Sequence, residues 1–389
     1  MSRAAPNILF LCHDSGRTGA TIGLLAFMGW LRANTNYGIG TILRAPGPLE
    51  ASFRELGPAV TLGTTLLTRS RLGRRLRKRL PRRLREETGT VRRMAARGSY
   101  DLIYSSTITN GATLESLASF RMPVLTHVHE LAYWIDRAGE ENLRQIVAHT
   151  TSYVAASQAV RENLVGNHGI PEDKITVVYE HIRGMPAVPT AETKAFARAA
   201  LGIPSGATVV GGCGVEHWRK GRDLIPQVLA ALRRKQLERD FHFLWIGRPG
   251  TAEEEYALRY DLRHSGIEAF FHCSGEVADP FALFPALDVF ALLSREDPYP
   301  LACLEVAAME TPVVCFAEAG GMPEFARGGC GVVAPYLDIE AMAQGIAGLA
   351  ANSELAQSYG RRARAKVARE NTLQATAPQL HAVMAKMLR

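Results

Sequence analysis

The sequence predicts an α/β protein made of two doubly wound domains, each a parallel sheet covered by helices on both faces. Apolar runs of four to six residues recur along the chain, and each is followed by a loop and then a helical pattern, the alternation that parallel strands with crossover helices require. The alternation lapses once, over residues 183–193, where Gly184, Pro186 and Pro189 stand in a weakly apolar stretch of the kind that separates domains. At 389 residues the chain is also long enough for two domains of ordinary size.

In the first half, Asn7–Cys12, Asp101–Ser105, Pro123–Val128, Ser152–Ala155 and Ile175–Tyr179 read as buried strands. The pattern restarts with Thr208–Gly212, Phe241–Ile246, Ala269–Cys273, Val289–Leu293 and Pro312–Phe316. The expected domains are therefore residues 1–185 and 186–372. The stretch Ser353–Arg389 looks helical, and its last part, residues 373–389, is long enough to cross back onto the first domain.

Hydrophobic residues make up 47% and charged residues 21%, which excludes a disordered or low-complexity chain. The six cysteines form no CxxC pair and mostly sit in apolar runs, so reduced thiols and a cytoplasmic location are expected. Ile8–Cys12 is too short for the apolar core of a secretory signal, and no run approaches the ~20 apolar residues of a membrane span. A membrane role would have to be peripheral.

The net charge of +7 hides a strong asymmetry. Residues 69–97 alone carry 13 basic residues against Glu86 and Glu87, +11 in 29 residues, so the rest of the chain sums to −4. Leu72, Leu76, Leu80 and Leu84 recur every four residues among Arg74, Arg75, Arg77, Lys78, Arg79 and their neighbours, with Pro81 breaking the pattern. A narrow leucine stripe in a cationic surround suits an interfacial helix on anionic lipid, at about 1 kcal/mol per basic residue near such a surface. The same leucines could instead pack on the first domain. Nucleic acid is disfavoured, because no aromatic residues are interleaved and no reading module is present.

Four segments carry candidate chemistry. In Ser294–Met309, Pro298 and Pro300 belong in a loop, so a helix should open near Leu301, with the unpaired N–H groups of Leu301 and Ala302 offering an anion site. Asp297 precedes that end and Glu305 lies about one turn inside, so two carboxylates flank one phosphate site and suit the hydroxyls of a sugar or ribose. A capping acid and a solvated helix acid would show the same spacing. Gly211–Gly221 is a glycine-rich strand exit that includes Gly214 and ends on Arg219 and Lys220, cations placed to neutralise an anion. It lacks the third glycine of a dinucleotide fingerprint. The loop His13–Gly19 follows the first strand, and Gly16 and Gly19 allow close backbone approach to a ligand. Finally, His127 and His129 alternate on a strand beside Glu130, too few ligands in themselves for a metal site.

Ser294–Met309 resembles the acidic motif, Glu then seven residues then Glu, of retaining glycosyltransferases of family 4. The similarity extends to Thr311-Pro-Val-Val, to Gly320-Gly-Met-Pro-Glu324, to Gly166–Tyr179 and to Val128-His-Glu130, in order along nearly the whole chain. The resemblance implies a GT-B fold, two Rossmann-like doubly wound domains with acceptor mainly on the first, nucleotide-sugar mainly on the second and chemistry in the cleft. It also implies roles: Glu305 on the nucleotide ribose, Asp297 on hydroxyls of the transferred sugar, Lys220 on the diphosphate and His129 beside the sugar. Three departures stand out. Asp297 replaces the usual Glu, with adjacent Glu296 as a second candidate. Val215 replaces a frequent arginine, leaving that task to Arg219. Pro-Tyr-Pro-Leu replaces Gly-Phe-Gly-Leu, so phosphate contacts fall to Leu301 and Ala302.

What the resemblance implies is transfer of a hexosyl group from a nucleoside diphosphate sugar to a glycan or lipid-linked acceptor, with no metal or other cofactor. A GT-B epimerase or hydrolase, and a non-catalytic nucleotide- or polyanion-binding protein, are the alternatives.

Overall fold

The computed structural model describes residues 5–62, 88–215, 217–235 and 239–388. The chain divides into two units: residues 1–183 together with 373–389, and residues 184–372. Arg74, Arg75, Arg77, Lys78 and Arg79 lie outside the described residues, as does the rest of the arginine-rich segment up to Glu87. Its final part forms the helix Thr88–Gly98, whose Val91, Met94 and Ala95 are buried in the first unit's core.

Among the described residues the first unit is built on a seven-stranded parallel sheet: β1 (Asn7–Cys12), β2 (Gly38–Leu43), β3 (Ala59–Thr61), β4 (Leu102–Ser105), β5 (Val124–Val128), β6 (Ser152–Ala155) and β7 (Ile175–Val177), in spatial order β3-β2-β1-β4-β5-β6-β7. Alternation along β1 serves two cores at once. Leu9 and Leu11 face one apolar cluster, while Ile8, Phe10 and Cys12 face the other, so the strand must be apolar throughout. The second cluster also takes Ala377, Leu380, Val383 and Met384 from the helix Leu373–Met387. Burial of each larger side chain there contributes roughly 1.5–3 kcal/mol, which holds this last helix to the first unit.

The second unit holds β8 (Thr208–Cys213), β9 (Phe241–Ile246), β10 (Phe271–Cys273), β11 (Val289–Leu292), β12 (Val313–Phe316) and β13 (Gly331–Ala334) in a parallel sheet of order β10-β9-β8-β11-β12-β13. Both sheets thus run outward from their first strand in two directions, the doubly wound order of a Rossmann-like fold. Among the described residues, no helix is long and apolar enough to cross a membrane. All six cysteines are free.

After the glycine-rich exit of β8 the chain makes 3-10 turns at Trp218–Lys220 and Arg222–Leu224 and delays its helix to Ile225–Lys235. Pro226 accounts for the delay, because it is tolerated only in a first helical turn. The C-terminal stretch is two helices, Ser353–Glu370 and Leu373–Met387.

Candidate active site

In the second unit the strand order reverses between β8 and β11, and loops leaving the carboxyl ends of such strands diverge around a crevice where ligands bind in α/β sheets. The cationic and acidic segments are these two loops. The β8 loop turns at Gly214, with φ 153°, and its Trp218–Lys220 turn ends on Gly221, with φ 69°. A Cβ at Gly221 would stand 1.9 Å from the Leu293 carbonyl oxygen. Only glycine lets this loop lie against the end of β11, and that approach brings Arg219 and Lys220 to Asp297.

Lys220 Nζ donates to Asp297 Oδ2 at 2.5 Å, and Ser294 Oγ donates to the same oxygen at 3.1 Å. Arg219 Nη1 lies 3.6 Å from Oδ1 and donates to the carbonyl of Glu296. Asp297 is only 4% exposed, and its backbone is pinned as well: its N–H donates to Ala319 O at 2.7 Å, and Gly321 N–H donates to its carbonyl at 3.2 Å. Burial pushes its carboxyl up, but the charges of Lys220 and Arg219 and the hydrogen bonds from Lys220 and Ser294 outweigh that and hold it below the ordinary aspartate range. The acid and the cations, separate in the sequence reading, form one ion cluster.

The helix Leu301–Ala308 opens directly after Pro300, which offers no side-chain cap. Cys303 N–H bonds Pro300 O at 3.1 Å, whereas the amides of Leu301 and Ala302 precede the helical ladder and point out of its end. Glu305 is half-buried one turn further. Burial takes the Cys213 thiol at the end of β8 to about 12, and there the charges of Glu305 and Lys220 act in opposite senses, raising and lowering it. Glu305, Lys220, Gly214 and Asp297 therefore gather at the ends of neighbouring strands. Arg295 is committed elsewhere: it pairs with Asp223 at 2.7 and 2.8 Å and lies 4.8 Å over the exposed ring of Trp218.

In the first unit, the loop after β1 holds Gly16, whose N–H donates to Asp14 Oδ1 at 2.8 Å, and Gly19, the first residue of the helix Gly19–Asn34 capped by Thr18. His129 follows β5. Its Nδ1 is hydrogen-bonded to the carboxylate of Glu180, a residue no sequence motif singles out. The ring of His127 lies 3.9 Å from that of His129, centroid to centroid, and its Nδ1 bonds the Tyr104 hydroxyl at 2.7 Å. Glu130 turns away, accepting from Thr107 Oγ1 and from the backbone N–H of Ile108 and of its neighbour His129. His181 Nδ1 and Thr376 Oγ1 are hydrogen-bonded at 3.0 Å.

His127, His129 and Glu180 are the one group among the described residues with His, Cys, Asp or Glu donor atoms close enough for a metal ion, all within 4.8 Å. The Nδ1 atoms of both histidines are engaged in hydrogen bonds, His127 with Tyr104 and His129 with Glu180. A cavity of about 340 Å³ lies elsewhere in this unit, lined by Ile103, Leu117, Arg121, Val124 and His149 among others, at the amino ends of β4 and β5 and away from His129.

Residues 41–182 match the Glycosyltransferase Family 4 model and residues 207–352 match Glycosyl transferases group 1. The chain belongs to the family 4, group 1 glycosyltransferases. Family relatives include the D-inositol 3-phosphate glycosyltransferases of Saccharomonospora viridis, 29% identical over 69% of this chain and 66% of that protein, and of Corynebacterium kroppenstedtii, 28% identical over 58% and 53%. The matched region thus spans between about half and two thirds of these relatives. Among solved structures, Anabaena HepE in complex with UDP and glucose superposes with a TM-score of 0.82 over 98% of this chain and 100% of that one, at 20% identity. Sucrose-phosphate synthase from Thermosynechococcus elongatus gives 0.77 over 98% and 99%, at 17% identity. These likenesses are of fold, and the two parallel-sheet units are those of the family's GT-B architecture.

Proposed function

We propose that this chain is a retaining glycosyltransferase that moves a hexosyl group from a nucleoside diphosphate sugar to an acceptor hydroxyl. The observation that carries the reading is the cluster of Lys220, Arg219 and Asp297 beside Glu305 and the open end of the Leu301–Ala308 helix. Lys220 has three N–H donors and spends one on Asp297, so the others are available to diphosphate oxygens, as are the unused donors of the Arg219 fork. Charge accumulates on the diphosphate as the bond to the sugar breaks, and preorganised cations act most strongly at that stage. With two cations in place the reaction needs no metal ion as counter-charge.

In this mechanism the bond between the anomeric carbon and the diphosphate oxygen breaks while the acceptor oxygen bonds the same face of that carbon. The acceptor proton passes to the departing diphosphate. Glu305 binds the ribose, Asp297 or its neighbour Glu296 meets sugar hydroxyls, the amides of Leu301 and Ala302 meet phosphate, and Gly214, Gly16 and Gly19 give the backbone close approach to the donor. His129 positions the sugar. The +11 segment at residues 69–97 docks the enzyme on anionic lipid at the cytoplasmic face, near a lipid-linked or glycan acceptor.

A thermal-shift panel of nucleoside diphosphates and their sugars tests the donor side, since a ligand at 100 times its Kd adds about 2.7 kcal/mol of stability. UDP and UDP-glucose are the first members to include, given the ligands of HepE. No stabilisation by any member would refute the reading.

A further inference from the structure

Glu180 lies three residues beyond β7 and has no place in any motif, yet its carboxylate sits on His129 Nδ1 across 51 residues of sequence. The two side chains are 9% and 12% exposed. An acid at that depth stays ionised only beside a positive charge or strong donors. The helix Gly19–Asn34 closes over it: a Cβ on Gly23 would already touch Glu180 Oε2, at 3.6 Å.

Several titratable groups face this pair. From β5 and the loop after it come His127 and Glu130, from β4 the Tyr104 hydroxyl, and from the chain next to Glu180 the imidazole of His181. Burial lowers both His127 and His181, so these two rings are neutral. Burial also works against a charged His129, but the charge and hydrogen bond of Glu180, helped by the charge of Glu130, raise it. Glu180 itself is held at about 2: burial opposes its charge, and the charge and hydrogen bond of His129 overcome that. Each partner thus favours the charged form of the other.

An imidazole carries its two nitrogens on opposite edges, and the one turned inward decides what the other offers. We propose that Glu180 is the positioning residue for His129, holding the ring by its Nδ1–H so that Nε2 faces the substrate. The acid also favours the doubly protonated ring, whose Nε2–H is a donor; without it the ring is neutral more readily, and neither its orientation nor its tautomer is fixed. Held this way, Nε2 is a donor while the ring is doubly protonated and an acceptor once it loses that proton, and Glu180 moves the change to higher pH. The identity of that substrate atom, a hydroxyl of the transferred sugar, rests on the transferase reading; the state of the ring does not.

Histidine-ring NMR on the full-length protein, with His129→Asn to assign the resonance, reads the ring directly. His129 is expected to titrate above the ordinary histidine value of about 6.5, and Glu180→Gln is expected to lower that midpoint by one to three pH units. In turnover assays the Gln variant is expected to shift the alkaline limb of the kcat/KM profile down by a similar amount, and Glu180→Asp to restore part of the shift. Loss of fold would not produce that pattern. A wild-type His129 that titrates at or below 6.5, or a titration unchanged in the Gln variant, overturns the proposal. Should the Gln variant fail to fold, the wild-type midpoint alone decides. Absence of turnover in the wild type would instead overturn the transferase reading, leaving the ring titration intact as the test of the pair.

Discussion

The ammonium of Lys220 donates to the carboxylate of Asp297 at 2.5 Å, joining the β8 loop to the β11 loop across 77 residues of sequence. The side chains are 15% and 6% exposed. Removing one member of so buried a pair leaves an uncompensated charge, which costs about 3–5 kcal/mol. Asp297→Asn is therefore expected to destabilise the second unit by about 3 kcal/mol, the lower end, because Lys220 keeps some contact with water. Urea unfolding checks this, and a change below 1 kcal/mol would show that the pair does not hold the two loops together.

Gly221 gives a sharper structural test. Gly221 and Gly275 have nearly the same backbone, φ 69° and 72°, but a Cβ at Gly221 would collide with the Leu293 carbonyl, whereas one at Gly275 meets nothing within 4 Å. Gly275→Ala should cost only the left-handed strain of roughly 1–2 kcal/mol. Gly221→Ala adds displacement of the loop and should cost about 3 kcal/mol or more, with loss of any nucleotide binding that depends on Lys220. Equal costs would mean that the close approach to β11 is unimportant.

In the proposed mechanism Glu305 accepts a hydrogen bond from the ribose. A hydrogen bond to a charged acceptor is worth about 1.5–3 kcal/mol, so Glu305→Ala should weaken binding of the free nucleoside diphosphate roughly 10- to 100-fold by calorimetry. Unchanged affinity would remove it from the site.

The buried histidines predict acid sensitivity in the first unit. Burial holds His127 and His181 below their ordinary value in the folded state, so the stability they contribute is complete above pH about 6.5 and is lost as the pH falls below it. Glu180, held at about 2, adds a loss as the pH falls below its ordinary value. His129, raised, works the other way: its stabilisation is complete below about pH 6.5 and is lost as the pH rises through its folded value. Two rings outweigh one, so urea midpoints should fall from pH 7 to pH 5, and His127→Gln should flatten the slope.

Much of the fold was legible because strands buried on both faces must be apolar without interruption, as β1 and β9 are. The strand β2 escaped notice for a local reason. Gly38 and Gly40 dilute its apolar run, and the space a Cβ would take at Gly40 is filled by the ring end of Tyr100. The strand β13 is a short sheet edge with a half-exposed pattern, so nothing in its sequence demands burial. In the site, Asp297, Glu305, Arg219 and Lys220 could be picked out individually, but the ion pair between the first and last of these could not, since it depends on a tertiary approach set by Gly221. Glu180 was invisible for the same reason: its partner is 51 residues away, and no periodicity links an acid after β7 to a histidine after β5.

The most direct measurement is nucleoside diphosphate release from a nucleotide-sugar in the presence and absence of acceptor, with the anomeric configuration of the product read by NMR. The donor is a nucleotide-sugar that stabilises the protein in the thermal-shift panel, offered with glycan and lipid-linked acceptors. The expected result is release that requires acceptor, a product with the donor's anomeric configuration, and turnover lowered by about 10²–10³ in Lys220→Ala, as when one preorganised charge stabiliser is removed. Release or rearrangement that proceeds equally without acceptor, or a product of inverted configuration, would contradict it.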